Sequence, residues 1–164
     1  MSKLITGIYN SRDKAEQAVD ELIRAGFAPE DVSILMSETT RGREFAMKRS
    51  NKAPEGAATG ATIGGVLGAV AAGLAAVASI SVPGLAVVAA GPLVAALTGL
   101  GVGAAAGGLT GALIGLGIPE HEAKFYKKEI EKGGILVGVY AHDDRVELAR
   151  DILDSSGAEK VTRG

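Results

Sequence analysis

The chain has 164 residues, no cysteine, and 17 Lys and Arg against 19 Asp and Glu, a net charge of −2. That length holds one modest domain and an inserted segment. The even charge and 4% aromatic content give a nucleic-acid binder no basic stripe to work with, and the missing cysteine excludes disulfides and thiolate chemistry.

Leu4 to Tyr9 is a short β-rich run, and Asn10-Ser11 supplies an N-cap. Ala15, Ala18, Val19, Leu22 and Ile23 then recur at helical spacing up to Gly26, a residue suited to end a helix. A turn at Phe27–Asp31 leads to a second strand, Val32–Met36. Residues 1–40 thus form a first strand–helix–strand unit. Residues 41–55 read as a linker carrying Arg41, Arg43, Lys48, Arg49 and Lys52.

Residues 56–118 contain no charged side chain. Pro83-Gly84 and Gly91-Pro92 interrupt this stretch, which predicts a helical hairpin, one helix from Gly56 to Ile80 and the other from Pro92 to Leu116. Gly56, Gly60, Gly64 and Gly68 recur every fourth residue in the first, and Gly99, Gly103, Gly107, Gly111 and Gly115 in the second. Glycine in a helix costs about 1 kcal/mol against alanine. Such a series therefore points to backbones packed closely along one face, within the hairpin, between chains, or both. These nine glycines are the candidate self-association site.

The last part, 119–164, opens with a charged helix from Pro119-Glu120 to Lys132, followed by a strand at Ile135–Tyr140, a helix at Asp143–Ser156 and a strand at Ala158–Thr162. At a constant offset of 131 it repeats the first unit: Gly7 matches Gly138, Tyr9 Tyr140, Ala18 Ala149, Leu22 Leu153 and Gly26 Gly157. Two such units predict an α+β fold, a ferredoxin-like βαββαβ sheet with both helices on one face. The glycine-rich helical hairpin is inserted at its central turn.

Sites for chemistry are scarce. Gly101-Val-Gly103-Ala-Ala-Ala106 fits a GxGxxA pattern, but it lies inside the period-four glycine series rather than between a strand and a helix start. His121-Glu122 and His142-Asp143-Asp144 sit at the starts of two different helices, which suits capping and surface polarity better than a metal. No nucleophile–base pair emerges, so no catalytic, cofactor-binding or metal-binding residue is assigned.

The segments Glu55–Gly60, Val82-Pro83-Gly84, Ala89–Leu93, Gly103–Leu109 and above all Gly115–Tyr126, followed by Gly133–Val137, resemble a bacterial family of general stress proteins. That family is related to the heat-induced YflT-like and low-temperature-induced proteins, and Gly7-Ile8-Tyr9 through Gly26-Phe27 is similar to its N-terminal domain. The resemblance implies a stress-associated protein with no established reaction, cofactor or catalytic residue. Two readings follow. In the first, a non-enzymatic stress protein forms homo-oligomers through a glycine-zipper hairpin at or in the cytoplasmic membrane, with lipid as a partner. The uncharged stretch and its flanking basic residues then place both termini in the cytoplasm. In the second, a soluble cytoplasmic regulatory or ligand-binding oligomer buries its hairpins between subunits, with the open sheet face or a subunit boundary as the ligand site. Nucleic acid is a partner in neither.

Overall fold

The computed structural model describes residues 2–37, 40, 78–82, 85–90 and 102–163. Their order is β1 (Ser2–Tyr9), α1 (Arg12–Arg24), β2 (Val32–Ser37), β3 (Ala78–Val82), β4 (Leu85–Ala90), α2 (Val102–Gly115), α3 (Glu120–Glu131), β5 (Ile135–His142), α4 (Val146–Ser155) and β6 (Lys160–Arg163). The strands form one mixed-connectivity sheet in the order β3-β4-β2-β5-β1-β6, and every neighbouring pair is antiparallel.

Over β1, β2 and β5 the sheet is buried on both faces. Ile5, Tyr9, Val32, Ile34, Met36, Ile135, Val137 and Val139 pack against Ala15, Ala18, Val19 and Leu22 of α1 and Val146, Ala149 and Leu153 of α4. Alternate strand residues, Leu4, Ile8, Leu35 and Leu136, face α2 and α3. β1 and β2 therefore run almost without a polar break, which is how a strand reads when neither face meets water. The open sheet face expected from sequence does not exist over these central strands; α2 and α3 cover it.

A second difference lies within the apolar stretch. Residues 78–80, expected to end a helix, and residues 85–90, expected to lie in a break, pair as a β-hairpin with Ile80 opposite Val87. β4 then adds to the outer side of β2, with Leu35 opposite Ala89. Ala78–Val82 and Leu85–Ala90 are short runs bearing Ile and Val on either side of two residues, a hairpin pattern that competes well with helix. The rest of the expected first helix, with Gly56, Gly60, Gly64 and Gly68, lies outside the described residues, as do the basic linker 41–55 and Gly99.

The internal repeat holds in the helices and slips in the strands. Ala15, Ala18 and Leu22 of α1 and their offset mates Val146, Ala149 and Leu153 all enter the same core. Tyr9 also enters that core, whereas Tyr140 packs against the opposite one. An odd offset between strands exchanges their faces, so the two tyrosines are not equivalent.

The repeat also carries a reciprocal contact. Arg145, just before α4, reaches over to the end of α1. It donates to Ala25 O at 2.5 Å and Gly26 O at 3.1 Å, and stacks over Phe27 with its guanidinium carbon 4.1 Å from the ring centre. Lys14, its offset mate on α1, lies against Gly157 at the end of α4. A Cβ placed on Gly157 would meet the Lys14 Nζ at 3.6 Å. Cations sit well at both places, because helix C-termini are electronegative.

All three tyrosines of the chain have their phenols pushed above the ordinary range by burial. Tyr9 is fully buried and donates to Leu153 O at 2.8 Å, with Glu21 and Asp154 adding repulsion against a phenolate. A raised folded-state value means that the tyrosines' contribution to stability is complete below about pH 10 and is lost as pH rises further. In an alkaline titration, tyrosinate absorbance should appear together with the loss of far-ultraviolet circular dichroism. Ionisation completed well before unfolding would show that the phenols are not shielded.

Candidate functional site

The covering helix α2 is the part of the glycine series whose position the structure describes. Gly103, Gly107, Gly111 and Gly115 all lie on it. Gly108 interrupts the helix with φ 57° and ψ −148°, a conformation that a side chain at Cβ strongly disfavours. The four glycines are thereby divided into two pairs, one on each side of the break. After the break, Leu109, Ala112 and Leu113 are buried against Leu4, Ile8, Leu35 and Leu136 of the sheet and Ala123, Tyr126 and Ile130 of α3.

The helix stops by a Schellman arrangement. Gly117, at φ 90°, donates from its N–H to Ile114 O at 2.9 Å, and Ile118 N donates to Leu113 O at 3.2 Å. The stop turns Ile118, 1% exposed, back into the core beneath the helix. α2 is therefore held at its end as well as along its inner side.

The other side of α2 points away from the sheet. Gly111 is half-buried, Gly115 is exposed and Ile114 is 41% exposed. Gly111 and Gly115, one turn apart and without side chains, lie on the same part of the helix as Ile114. Among the described residues, Ile114 and Leu148 are the exposed large apolar side chains.

Groups with chemical potential do not converge. His121, with 77% of its side chain exposed, lies 3.7 Å from Glu122, which also pairs with Lys160 at 3.4 Å. Lys160 in turn lies 5.4 Å from the centre of the Phe125 ring. His142 lies at the end of β5 beside Ser2, 3.3 Å from the serine hydroxyl. Below α3, a notch of about 100 Å³ is lined by Asn10, Glu129, Lys132 and Glu159. Its charges are engaged: Lys132 pairs with Glu129 at 2.8 Å, and Asn10 donates to Glu159 at 2.7 Å. Tyr126, on the buried side of α3, accepts from the Thr6 hydroxyl at 3.3 Å. Among the described residues, no group of three or more His, Asp or Glu side chains could hold a metal ion.

Fold and surface together define a small α+β domain, an antiparallel sheet whose central strands are clad by helices on both sides, and whose distinguishing surface is a glycine-bearing helix. The chain belongs to the heat-induced stress protein YflT domain family, whose model matches residues 5–97, more than half of its length. That membership places it among general stress-response proteins. The matched range takes in β1 to β4 and ends before α2. No curated protein and no solved structure matches the chain.

Sequence reasoning found the glycines, but not which way they face. α2 is apolar around its whole circumference, so periodicity does not distinguish its buried side. The one available signal was size: Leu109 and Leu113 share a side, while Gly111 and Gly115 share another.

Proposed function

We propose that this protein is a non-enzymatic general stress protein that self-associates through the glycine-bearing faces of residues 56–118, with Gly103, Gly107, Gly111 and Gly115 of α2 at the contact. The observation that carries this reading is the division of α2, whose leucines are committed to the core while Gly111, Ile114 and Gly115 face outward. Helical glycines give up stability, and close approach of a second backbone recovers it. The same reading takes β1, α1, β2, β5, α4 and β6 as a ferredoxin-like unit, supported by the neighbour order β2-β5-β1-β6. Residues 41–131 then form the insertion at its central connection.

The inner side of α2, packed against the sheet and α3, favours a protein setting for the glycine faces over a lipid one. Broken at Gly108, the 14 described residues of α2 do not by themselves reach across the roughly 30 Å hydrocarbon core of a bilayer. Among the described residues no helix is long and apolar enough to cross a membrane. Association at the cytoplasmic membrane is the second reading, favoured by the uncharged run of 56–118 and the basic residues before it.

Both are tested on the full chain. The wild type should sediment as a discrete oligomer in the high-speed supernatant without detergent. Gly111→Leu with Gly115→Leu, and separately Gly103→Leu with Gly107→Leu, should shift it to smaller species. An oligomer unchanged by both pairs overturns the glycine contact. Recovery only from a detergent-extracted membrane pellet overturns the protein setting in favour of lipid.

A further inference from the structure

The sheet has two edges, and they differ. β6, at one edge, is four residues long and carries Lys160 and Arg163. Shortness and charge are the usual means by which a protein prevents another strand from adding there. β3, at the other edge, reads Ala78-Ser79-Ile80-Ser81-Val82, with no charge and no proline. It lies in a stretch of 63 residues, 56–118, that has no charge at all. Among the described residues, β4 is the one strand paired with it.

Antiparallel pairing turns alternate backbone N–H and C=O groups toward the neighbour and the intervening ones away. Among the described residues no strand takes up the outward groups of β3, which form a row that another strand can pair with. The sequence of β3 nearly mirrors itself about Ile80: Ser79 and Ser81 flank it, and Ala78 and Val82 lie beyond them. An antiparallel copy centred on Ile80 would set Ile80 opposite Ile80, Ser79 opposite Ser81 and Ala78 opposite Val82. A two-fold axis requires this of a self-complementary interface, because each contact occurs twice with the partners exchanged.

We propose that the β3 edge is a second self-association surface, at which two copies of this chain join antiparallel about Ile80 and continue one sheet across both. This interface is separate from the glycine face of α2. It uses main-chain hydrogen bonds rather than helix packing, although α2 packs close to β3. A chain with both surfaces can extend through one and pair through the other.

The absence of native cysteine allows a direct test. Opposed residues of an antiparallel pair have Cα atoms about 4.5–5.5 Å apart, within the roughly 4.4–6.8 Å that a disulfide spans. Under mild oxidation of the full-length chain, Ile80→Cys should convert most of the protein to a covalent dimer on a non-reducing denaturing gel. Lys160→Cys, on the guarded edge, should leave it monomeric. Equal crosslinking of the two variants, with circular dichroism and sedimentation like the wild type, overturns the proposal. A second arm uses Ser79→Lys with Ser81→Lys, which should remove one step of assembly while keeping the fold; an unchanged particle size overturns the edge interface. Combining Ile80→Cys with Gly111→Leu and Gly115→Leu separates the two surfaces. A crosslink that survives supports an independent edge contact even if the glycine reading fails. A crosslink lost with the glycines makes the edge a by-product of helix association and overturns it.

Discussion

Leu113→Ala should lower the unfolding free energy of the full chain by about 2–5 kcal/mol, the range for a leucine truncated in a packed core. Leu113 is 0% exposed and sits among Leu4, Ile8, Leu35, Leu136 and the apolar side of α3. Ile114, the next residue, is 41% exposed on the far side of the same helix. At concentrations low enough for the chain to be monomeric, Ile114→Ala should therefore change stability by no more than about 0.5 kcal/mol, as surface substitutions generally do. Urea denaturation of the pair reads the orientation of α2 directly. Equal losses would mean that α2 does not dock by the side described, and two small losses would mean that it does not dock at all.

Arg145→Ala is the second large effect. The guanidinium makes two hydrogen bonds to carbonyls at the end of α1 and stacks on Phe27. Hydrogen bonds from a charged group contribute about 1.5–3 kcal/mol, so a loss of about 2 kcal/mol is expected in thermal or urea unfolding. Arg145→Lys should recover less than half of it, because an ammonium cannot fork across two carbonyls while stacking on a ring. Full rescue by lysine would reduce the contact to charge alone. Lys14→Ala, at the mirrored position, should have a small effect, since Lys14 is exposed. The two halves thus use one device at unequal strength.

The helices were legible wherever their apolar spacing had a polar side to contrast with. α1, α3 and α4 fall close to their expected places, and Gly26, Gly133 and Gly157 end them as their positions suggested. The β3–β4 hairpin was not legible, because five or six apolar residues give the same signal in a strand and in a buried helix. Nor was the second layer. Nothing in Leu4, Ile8, Leu35 or Leu136 says which element will cover it, and the packing of Leu4, Ile8 and Leu35 against α2, far along the chain, is a property of the folded chain. The matched identities of Tyr9 and Tyr140 misled for a related reason. A sequence offset carries no face, and one residue of slip between helix and strand reverses it. The candidate glycines were visible from spacing alone; the break at Gly108 and the outward aim of Gly111 and Gly115 required coordinates.

The apolar stretch is not an appendage. With α2 removed, Leu4, Ile8, Leu35 and Leu136 would lose much of their cover, so the segment that offers an outward surface also completes the fold. One helix answering to two neighbours creates a thermodynamic linkage. Anything that binds the outer side of α2 in the folded chain but not in the unfolded one raises the unfolding free energy, by about 2.7 kcal/mol at a hundred times its dissociation constant. When the occupant is a second copy, the occupant's concentration is the protein's own. A chain built in this way becomes harder to melt as more of it accumulates.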